Sequence, residues 1–203
     1  MQLYHFPSPN PQKVTFALKE LGLECEIVPV DLGKGEQRQS TFLAVNPAGR
    51  APVLVDGELT LPESHAILSY LGEKTGRLWP TSLAGRAEAL RWLFFSSQHI
   101  MPAAGDVALR FRAKLFGRPV DEAIVKRGEE ALPAPLAILE DHLTHNKWMI
   151  GAEFGLVDCA YCPILNVIEK SDFSLAQFTR VAAYLDACRA RPGWVQTPRL
   201  PGL

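Results

Sequence analysis

The sequence predicts a mixed α/β front half followed by an all-α rear half, and three observations lead to this prediction. Before residue 80, short runs with the two-residue alternation of β-strands are interspersed with runs of helical spacing. After residue 80, every long periodic segment has helical spacing. Residues 78–81, Leu-Trp-Pro-Thr, interrupt both patterns. We therefore predict a front domain over residues 1–77, a linker over 78–84 and a helical domain over 85–203.

The chain begins with a predicted strand and a predicted helix. Residues 2–6 alternate apolar and polar side chains, and they stop at the turn-rich Pro-Ser-Pro-Asn-Pro of residues 7–11. An apolar stripe of helical spacing follows, formed by Val14, Ala17, Leu18 and Leu21. Asn10 and Pro11 predict the start of this helix, because Asn is a favoured N-cap and Pro suits the first helical position. Gly22 predicts its end.

The remaining front elements predict an edge strand, a hairpin and two helices. A strand over 27–30 contains Pro29, which indicates an edge position. After a glycine-rich loop and a short helix over 41–45, two strands flank the hairpin signal Asp56-Gly57. A helix then runs from Ser64 to a glycine at 72 or 76. This order of elements is typical of a thioredoxin-like domain with a mixed four-stranded sheet.

The rear half predicts an α-helical bundle. Its helical patterns cover residues 84–116, 121–145, 156–170 and 174–191. Pro102 is expected to kink or break the first pattern, because proline has no N–H for the helical hydrogen bond. Two prolines also lie inside the second pattern.

Cysteine and histidine positions indicate neither a redox centre nor a metal site. Cys159 and Cys162 have the spacing of a redox pair, but they lie in an apolar helical pattern, which favours core packing. His142 and His145 are three residues apart with no third ligand nearby, which favours a solvated helix face. Reduced thiols agree with a cytoplasmic protein.

Charge and hydropathy exclude two classes of partner. Of the 203 residues, 21 are Lys or Arg and 22 are Asp or Glu, so the formal net charge of −1 lacks the basic excess that general nucleic-acid binding needs. The net charge does not exclude a local basic patch on the surface. Apolar runs fall short of a membrane-spanning helix, and the first residues do not have the pattern of a leader. We expect a cytoplasmic protein with no nucleic-acid or membrane partner.

Two motifs carry a resemblance to a known family. Residues 46–54 read Asn-Pro-Ala-Gly-Arg-Ala-Pro-Val-Leu, and residues 61–67 read Leu-Pro-Glu-Ser-His-Ala-Ile. With these motifs in this order of elements, the whole chain resembles the cytosolic glutathione transferases. The resemblance implies glutathione as co-substrate without a metal. It also implies a front domain that binds glutathione and a helical domain that forms the second-substrate side of a cleft.

The resemblance assigns glutathione binding to Arg50, Ala51, Pro52, Glu63 and Ser64. It implies a cis peptide bond before Pro52 and main-chain pairing between Ala51 and the cysteinyl part of glutathione. The chemistry of the γ-glutamyl end agrees, because its ammonium needs a carboxylate such as Glu63 and its carboxylate needs donors such as Ser64 at a helix N-terminus. Taken alone, Glu63 and Ser64 also suit a helix start without a ligand.

The first turn resembles one class within that family. Pro-Ser-Pro-Asn at 7–10 and Val-Asp-Leu-Gly-Lys-Gly-Glu-Gln at 30–37 are most similar to the bacterial nu class. This resemblance implies that Ser8 and Asn10 stabilise the glutathione thiolate and that Gln37 makes a secondary contact. The cysteine-using omega and beta classes and the zeta isomerases do not match this turn. The structural alternative is that Asn10 only caps the helix and Ser8 only completes the turn.

Two details of the rear half bear on stability and on the second substrate. Family members usually place Ser or Thr three residues before the aspartate that corresponds to Asp158, and here Gly155 stands at that position. Three aromatic residues are expected to line the second-substrate pocket or to belong to the core: Tyr161, Phe111 and Trp92, with core favoured for Trp92.

The leading functional prediction is an enzyme that binds glutathione, stabilises its thiolate and directs it at an electrophile or a disulfide. The nu-class resemblance implies mainly disulfide reduction. The alternative is a non-catalytic glutathione- or partner-binding module with the same fold. The family resemblance also implies a homodimer. The identity of the small electrophilic or disulfide substrate stays open.

Overall fold

The computed structural model describes residues 1–117 and 119–200. In the front half, the strands are β1 (Gln2–His5), β2 (Glu26–Pro29), β3 (Val53–Asp56) and β4 (Leu59–Pro62). The front helices are α1 (Pro9–Leu21), α2 (Ser40–Leu43) and α3 (Ser64–Thr75), with a 3₁₀ turn at Glu36–Arg38. The rear helices are α4 (Leu83–Phe95), α5 (Met101–Phe116), α6 (Glu122–Ala131), α7 (Pro133–His145), α8 (Leu156–Lys170), α9 (Thr179–Arg189) and α10 (Pro192–Val195).

The strands form one mixed sheet in the order β2-β1-β3-β4. β1 is parallel to β2 and antiparallel to β3, and β3 and β4 form a hairpin. Pro29 lies in the edge strand β2, as predicted. The hairpin turn is formed by Gly57 and Glu58, one residue later than Asp56-Gly57, because Asp56 already pairs with Leu59. Gly57 has a φ of 61°, the conformation that this turn needs and glycine adopts easily. The predicted fold class is confirmed.

One hydrophobic core continues from the front half into the rear half. Helix α1 packs against α3 on one side and against α8 and α10 on the other. Phe16 of α1 is fully buried, and its ring lies 5.6 Å from the rings of both Phe154 and Trp194. Burying one such aromatic ring stabilises a fold by roughly 1.5–3 kcal/mol. Helix α1 is therefore held from both halves, which fixes the residues at its N-terminus.

Three predicted helical segments of the rear half have different bounds in the structure. The pattern over 84–116 forms two helices joined by a π-helical turn at Ser96–Ile100, and Pro102 lies in the first turn of α5. There its missing N–H breaks no helical hydrogen bond. The pattern over 121–145 is divided in the same way, because Pro133 begins α7. The last pattern is shorter than predicted and forms α9, and α10 follows beyond its end, from Pro192.

The buried carboxyl of Asp158 binds main-chain and hydroxyl groups around the start of α8. It accepts hydrogen bonds from Gly155 N at 2.7 Å, Met149 N at 2.9 Å and the Tyr184 hydroxyl at 2.7 Å. Burial raises the pKa of Asp158 to about 6, although these hydrogen bonds oppose the shift. Glycine at the cap position thus leaves the Asp158 side chain fully engaged.

The two cysteines of the redox-like spacing lie in the core. Cys159 and Cys162 are buried and unpaired in α8, and burial raises the pKa of the Cys159 thiol well above its ordinary value. Core packing is therefore the correct interpretation. Across residues 1–117 and 119–200, every helix is too short or too polar to cross a membrane. The domain limits 1–77, 78–84 and 85–203 stay a prediction.

Candidate active site

Two cavities meet at the N-terminal turn of α1, and Asn10 lines both. The α5 cavity has a volume of about 400 Å³ and lies between this turn and the helices α5 and α8. The α3 cavity has a volume of about 610 Å³ and lies between α1, the start of α3 and the helix α4. Met101 lines both cavities as well, so the two cavities adjoin at Asn10 and Met101 and form parts of one cleft.

The first helix begins two residues earlier than predicted. Pro9 is the first residue of α1, and Ser8 is the N-cap with an extended φ of −112°. The expectation that Asn10 caps this helix is wrong, because the fixed φ of Pro9 already starts the helix and Asn10 falls in its first turn. The side chain of Ser8 makes no capping hydrogen bond. Neither side chain is therefore used by the helix terminus.

The two amide side chains at the α5 cavity have polar atoms without partners. Oδ1 of Asn10 and Oε1 of Gln37 are buried and have no hydrogen bond with any residue in 1–117 or 119–200. An unsatisfied buried polar atom costs about 1–3 kcal/mol, so such atoms call for an explanation. Ser8, Asn10 and Gln37 all line this cavity. The structure thus brings together the three residues that the sequence assigned to the thiol side of the site.

Glu63 and Ser64 lie together at the α3 cavity with Asn10. Glu63 is the N-cap of α3 with a φ of 71° and a ψ of 111°, a conformation that costs a residue other than glycine about 1–3 kcal/mol. Its side chain is exposed, whereas Ser64 is buried at the first position of the helix. Main-chain N–H groups of a first helical turn have no partner within the helix. A carboxylate and anion-binding donors therefore stand side by side.

The segment before β3 contributes main chain rather than side chains. The Ala51–Pro52 peptide bond is cis, as the resemblance implies. Asn46 shapes the preceding turn, since its Nδ2 donates to Arg50 O at 2.7 Å and its Oδ1 accepts from Ala48 N at 3.1 Å. Within the described part of the chain, the main-chain N–H and C=O of Ala51 have no hydrogen-bond partner. Those two groups are free to pair with an extended ligand.

Arg50, Ala51 and Pro52 do not belong to the described lining of either cavity. Arg50 is exposed, and among the described residues only its carbonyl takes part in a hydrogen bond. The structure therefore brings Ser8, Asn10, Gln37, Glu63 and Ser64 together around the cleft but leaves the side chain of Arg50 outside it.

Sequence reasoning missed a buried lysine beneath the α3 cavity. Lys13 is fully buried in α1, and its Nζ donates to Nε2 of His65 at 2.9 Å and lies 3.1 Å from Sδ of Met101. Burial lowers the pKa of Lys13 to about 7, against the opposing charge of Glu63. Burial, reinforced by the Lys13 charge, lowers the pKa of His65 to about 2. The one available signal is that Lys13 lies one turn before Ala17 on the apolar stripe.

The aromatic residues expected at the second-substrate pocket divide between pocket and core. Phe111 lines the α5 cavity. Tyr161 and Trp92 are buried away from it, and the Tyr161 hydroxyl donates to Trp92 O at 2.8 Å. The α5 cavity also contains Arg112, which sequence reasoning did not select.

No cluster of three or more potential metal ligands occurs among the His, Cys, Asp and Glu side chains of residues 1–117 and 119–200. His142 instead contacts Met149 O through Nε2 at 3.1 Å.

The fold and the site define a two-domain protein whose thioredoxin-like half presents unpartnered hydroxyl and amide groups to a cleft. Residues 1–73 match the family model of the glutathione S-transferase N-terminal domain, and residues 88–192 match that of the C-terminal domain. The chain belongs to the glutathione S-transferase family.

Three relatives illustrate this membership. Glutathione S-transferase 3 of Zea mays is 38% identical over 97% of this chain and 92% of its own length. The disulfide-bond oxidoreductase YfcG of Escherichia coli K12 is 31% identical over 95% of this chain and 91% of its own. The structure of a glutathione transferase family member from Pseudomonas fluorescens, with two glutathione bound, has a TM-score of 0.87 and 32% identity. The match covers 97% of this chain and 91% of the Pseudomonas fluorescens chain.

Proposed function

We propose that the chain is a glutathione-dependent enzyme that holds glutathione across the α3 cavity and activates its thiol at Ser8 and Asn10. The observation that carries this proposal is the position of Asn10. Its buried amide oxygen has no partner in the part of the chain that the structure describes, and the residue lines both cavities. A ligand that extends from one cavity into the other would satisfy this amide.

The α3 cavity suits the γ-glutamyl end of glutathione. The exposed carboxylate of Glu63 would accept from the ammonium, while Ser64 and the first N–H groups of α3 would donate to the carboxylate. The unpartnered N–H and C=O of Ala51 support main-chain pairing with the cysteinyl residue, next to the cis peptide bond. Gln37 would then use its unpartnered Oε1 to accept an N–H of the tripeptide.

Ser8 and Asn10 are sufficient to activate the thiol. A thiol with an ordinary pKa of about 8.5 needs about 2.7 kcal/mol for a two-unit decrease. A hydrogen bond to a charged group contributes about 1.5–3 kcal/mol, and a helix N-terminus adds roughly 0.3–1 kcal/mol. The Ser8 hydroxyl is one donor. Rotation about the Cβ–Cγ bond of Asn10 can turn its N–H groups toward the sulfur.

Two reactions are available to the resulting thiolate. With an electrophile, sulfur bonds to the electrophilic carbon and the leaving group departs with its electron pair. With a disulfide, sulfur attacks one sulfur atom, a mixed disulfide forms and the second thiolate leaves. The names of the Zea mays transferase and the Escherichia coli disulfide-bond oxidoreductase support one reaction each.

Four finer assignments complete the proposal. The turn at Ser8 and Asn10 supports the nu class within the family. A homodimer is supported by apolar surface on α4, where Leu83 and Phe94 are 79% and 64% exposed. A cytoplasmic location remains a prediction from the sequence, as does the glutathione role of Arg50.

Substitution of Glu63 tests the glutathione site. Glu63→Ala is expected to weaken glutathione binding by about tenfold or more, because it removes the carboxylate that meets the ammonium. Isothermal calorimetry measures the affinity. Glu58→Ala, at the tip of the β3–β4 hairpin, is the matched control, because Glu58 is equally a surface carboxylate and lines neither cavity. Unchanged affinity in Glu63→Ala would contradict the site.

A further inference from the structure

The rear wall of the α5 cavity is apolar except at one side chain. Helices α5 and α8 present Met101, Ala104, Phe111 and Ile164 to the cavity. Of the described residues that line it, Arg112 is the only charged one. Such a wall suits an apolar molecule that carries one anionic group.

The guanidinium of Arg112 lies at the mouth of this cavity. Its side chain runs back along α5, and Nη2 donates to Gly105 O at 2.5 Å, about two helical turns earlier. The residue keeps exposed surface, yet burial of the guanidinium lowers its pKa. These observations indicate that the Arg112 guanidinium is partly exposed to solvent and partly packed against the protein.

The neighbouring arginines have carboxylate partners, whereas Arg112 has none among the described residues. Arg110 pairs with Glu122 and Glu129, both at 2.7 Å. Arg127 pairs with Asp106 at 2.9 Å, and Asp106 is the acidic group whose charge acts on Arg112. A guanidinium has five N–H donors, and here one hydrogen bond to a carbonyl uses one of them.

We infer that Arg112 makes this enzyme selective for acceptors that carry a carboxylate on an apolar, aromatic body. This inference rests on the proposed function, in which the α5 cavity holds the second substrate. The apolar body would lie against Phe111 and Met101 beside the thiolate donors Ser8 and Asn10. The carboxylate would take two N–H groups of Arg112 at the mouth, the paired geometry that carboxylates and guanidinium groups favour.

Equilibrium binding tests the inference without any thiol chemistry. The probes are 3,5-dinitrobenzoate and its uncharged carboxamide, which have no leaving group, titrated into the full chain by calorimetry. We expect the carboxylate to bind about tenfold more tightly than the carboxamide. Arg112→Gln should remove this preference while it changes carboxamide affinity by no more than about twofold. Arg112→Lys should retain part of the preference, because it keeps the positive charge but loses the planar pair of N–H donors that matches a carboxylate.

Lys114→Gln is the matched control. It removes the same charge two residues away on α5, and Lys114 does not line the cavity. Its preference for the carboxylate should equal that of the wild-type chain. An equal preference in the wild-type chain and in Arg112→Gln overturns the inference, and so does the absence of any preference in the wild-type chain.

Turnover separates this inference from the proposed function. With 4-chloro-3,5-dinitrobenzoate, the glutathione sulfur bonds to the ring carbon that carries chlorine, and chloride leaves with its electron pair. Arg112→Gln should lower kcat/KM by about tenfold for this acceptor and leave its carboxamide analogue nearly unchanged. If neither acceptor reacts but binding still depends on Arg112, the electrophile reaction of the proposed function fails and the carboxylate site stands.

Glutathione disulfide, titrated in parallel, distinguishes two sources of the carboxylate. A loss of affinity in Arg112→Gln that is confined to dinitrobenzoate assigns the site to aromatic acceptors. A loss shared by both ligands extends the assignment to the carboxylates of a second glutathione unit. A loss confined to the disulfide overturns the inference.

Discussion

Two polar side chains, the buried Asp158 in the rear half and the half-buried Asn10 in the front half, differ in their hydrogen bonding. Asp158 accepts three hydrogen bonds, including one from the Tyr184 hydroxyl, within 2.9 Å. Oδ1 of Asn10 is also buried and has no hydrogen-bond partner among the described residues. The carboxyl of Asp158 is thus fully engaged in the core, whereas the amide oxygen of Asn10 at the cleft is left for a ligand.

Lys13 is intermediate between these two. Its ammonium is fully buried, as Asp158 is, but its hydrogen-bond partners are a neutral imidazole and a thioether sulfur. Neutral acceptors compensate a buried charge only in part, which is why burial dominates its pKa. We therefore expect the effect of a substitution on the free energy of unfolding to decrease from Asp158 through Lys13 to Asn10.

The largest expected effect is at Asp158. Asp158→Ala should lower the free energy of unfolding by about 3 kcal/mol, because it leaves two main-chain N–H groups and a hydroxyl buried without an acceptor. Urea unfolding measures this change. Asp141→Ala, at an exposed position of α7, should change it by no more than about 0.5 kcal/mol. If Asp158→Ala lowers the free energy of unfolding by less than about 1 kcal/mol, the contrast between Asp158 and Asn10 is wrong.

A smaller, pH-dependent effect is expected at Lys13. Its pKa is lowered from 10.5 to about 7, so above pH 7 the unfolded chain binds this proton more tightly than the folded chain. The free energy of unfolding should therefore rise with pH relative to Lys13→Met, by about 2 kcal/mol between pH 7 and 9. At neutral pH, Lys13→Met should be the more stable protein.

Urea unfolding of both proteins at several pH values measures the Lys13 effect. Lys19→Met is the control, because Lys19 is exposed on the same helix and the charge change is the same. A constant difference between the wild-type chain and Lys13→Met across this pH range would show that the folded protein does not lower the pKa of Lys13.

The sequence was sufficient for elements that local chemistry determines. The hairpin near Asp56-Gly57, the edge position of Pro29 and the order of strands and helices all follow from alternation, turn residues and proline geometry. The start of α1 did not follow, because two prolines compete for the first helical position. In the structure, Ser8 is the N-cap and Pro9 is the first helical residue, whereas Asn10 and Pro11 lie in the first turn.

The site was predictable in part for the same reason. Short motifs identified Ser8, Asn10, Glu63 and Ser64, because each lies at a turn or a helix start that the sequence marks. Lys13 was missed because its partners lie 52 and 88 residues away along the chain. Arg112 was missed because helical spacing does not show whether a long side chain lies along a cavity wall or extends into solvent.

The most direct test of the account concerns Asn10. Asn10→Ala should change the free energy of unfolding by no more than about 0.5 kcal/mol, because it removes an amide whose oxygen has no partner. It should nevertheless raise the pKa of bound glutathione by about one unit, because a donor to the thiolate is lost. Ultraviolet difference absorption of the thiolate, titrated against pH at saturating glutathione, measures this pKa.

In the wild-type chain, we expect a saturable thiolate band with a midpoint near pH 6.5, about two units below a free thiol. Asn10→Ala should move the midpoint up while glutathione still binds. The contradicting result is a wild-type chain that binds glutathione without a thiolate band at pH 7. That result would show a glutathione-binding module in which the open amide of Asn10 serves binding and not thiol activation.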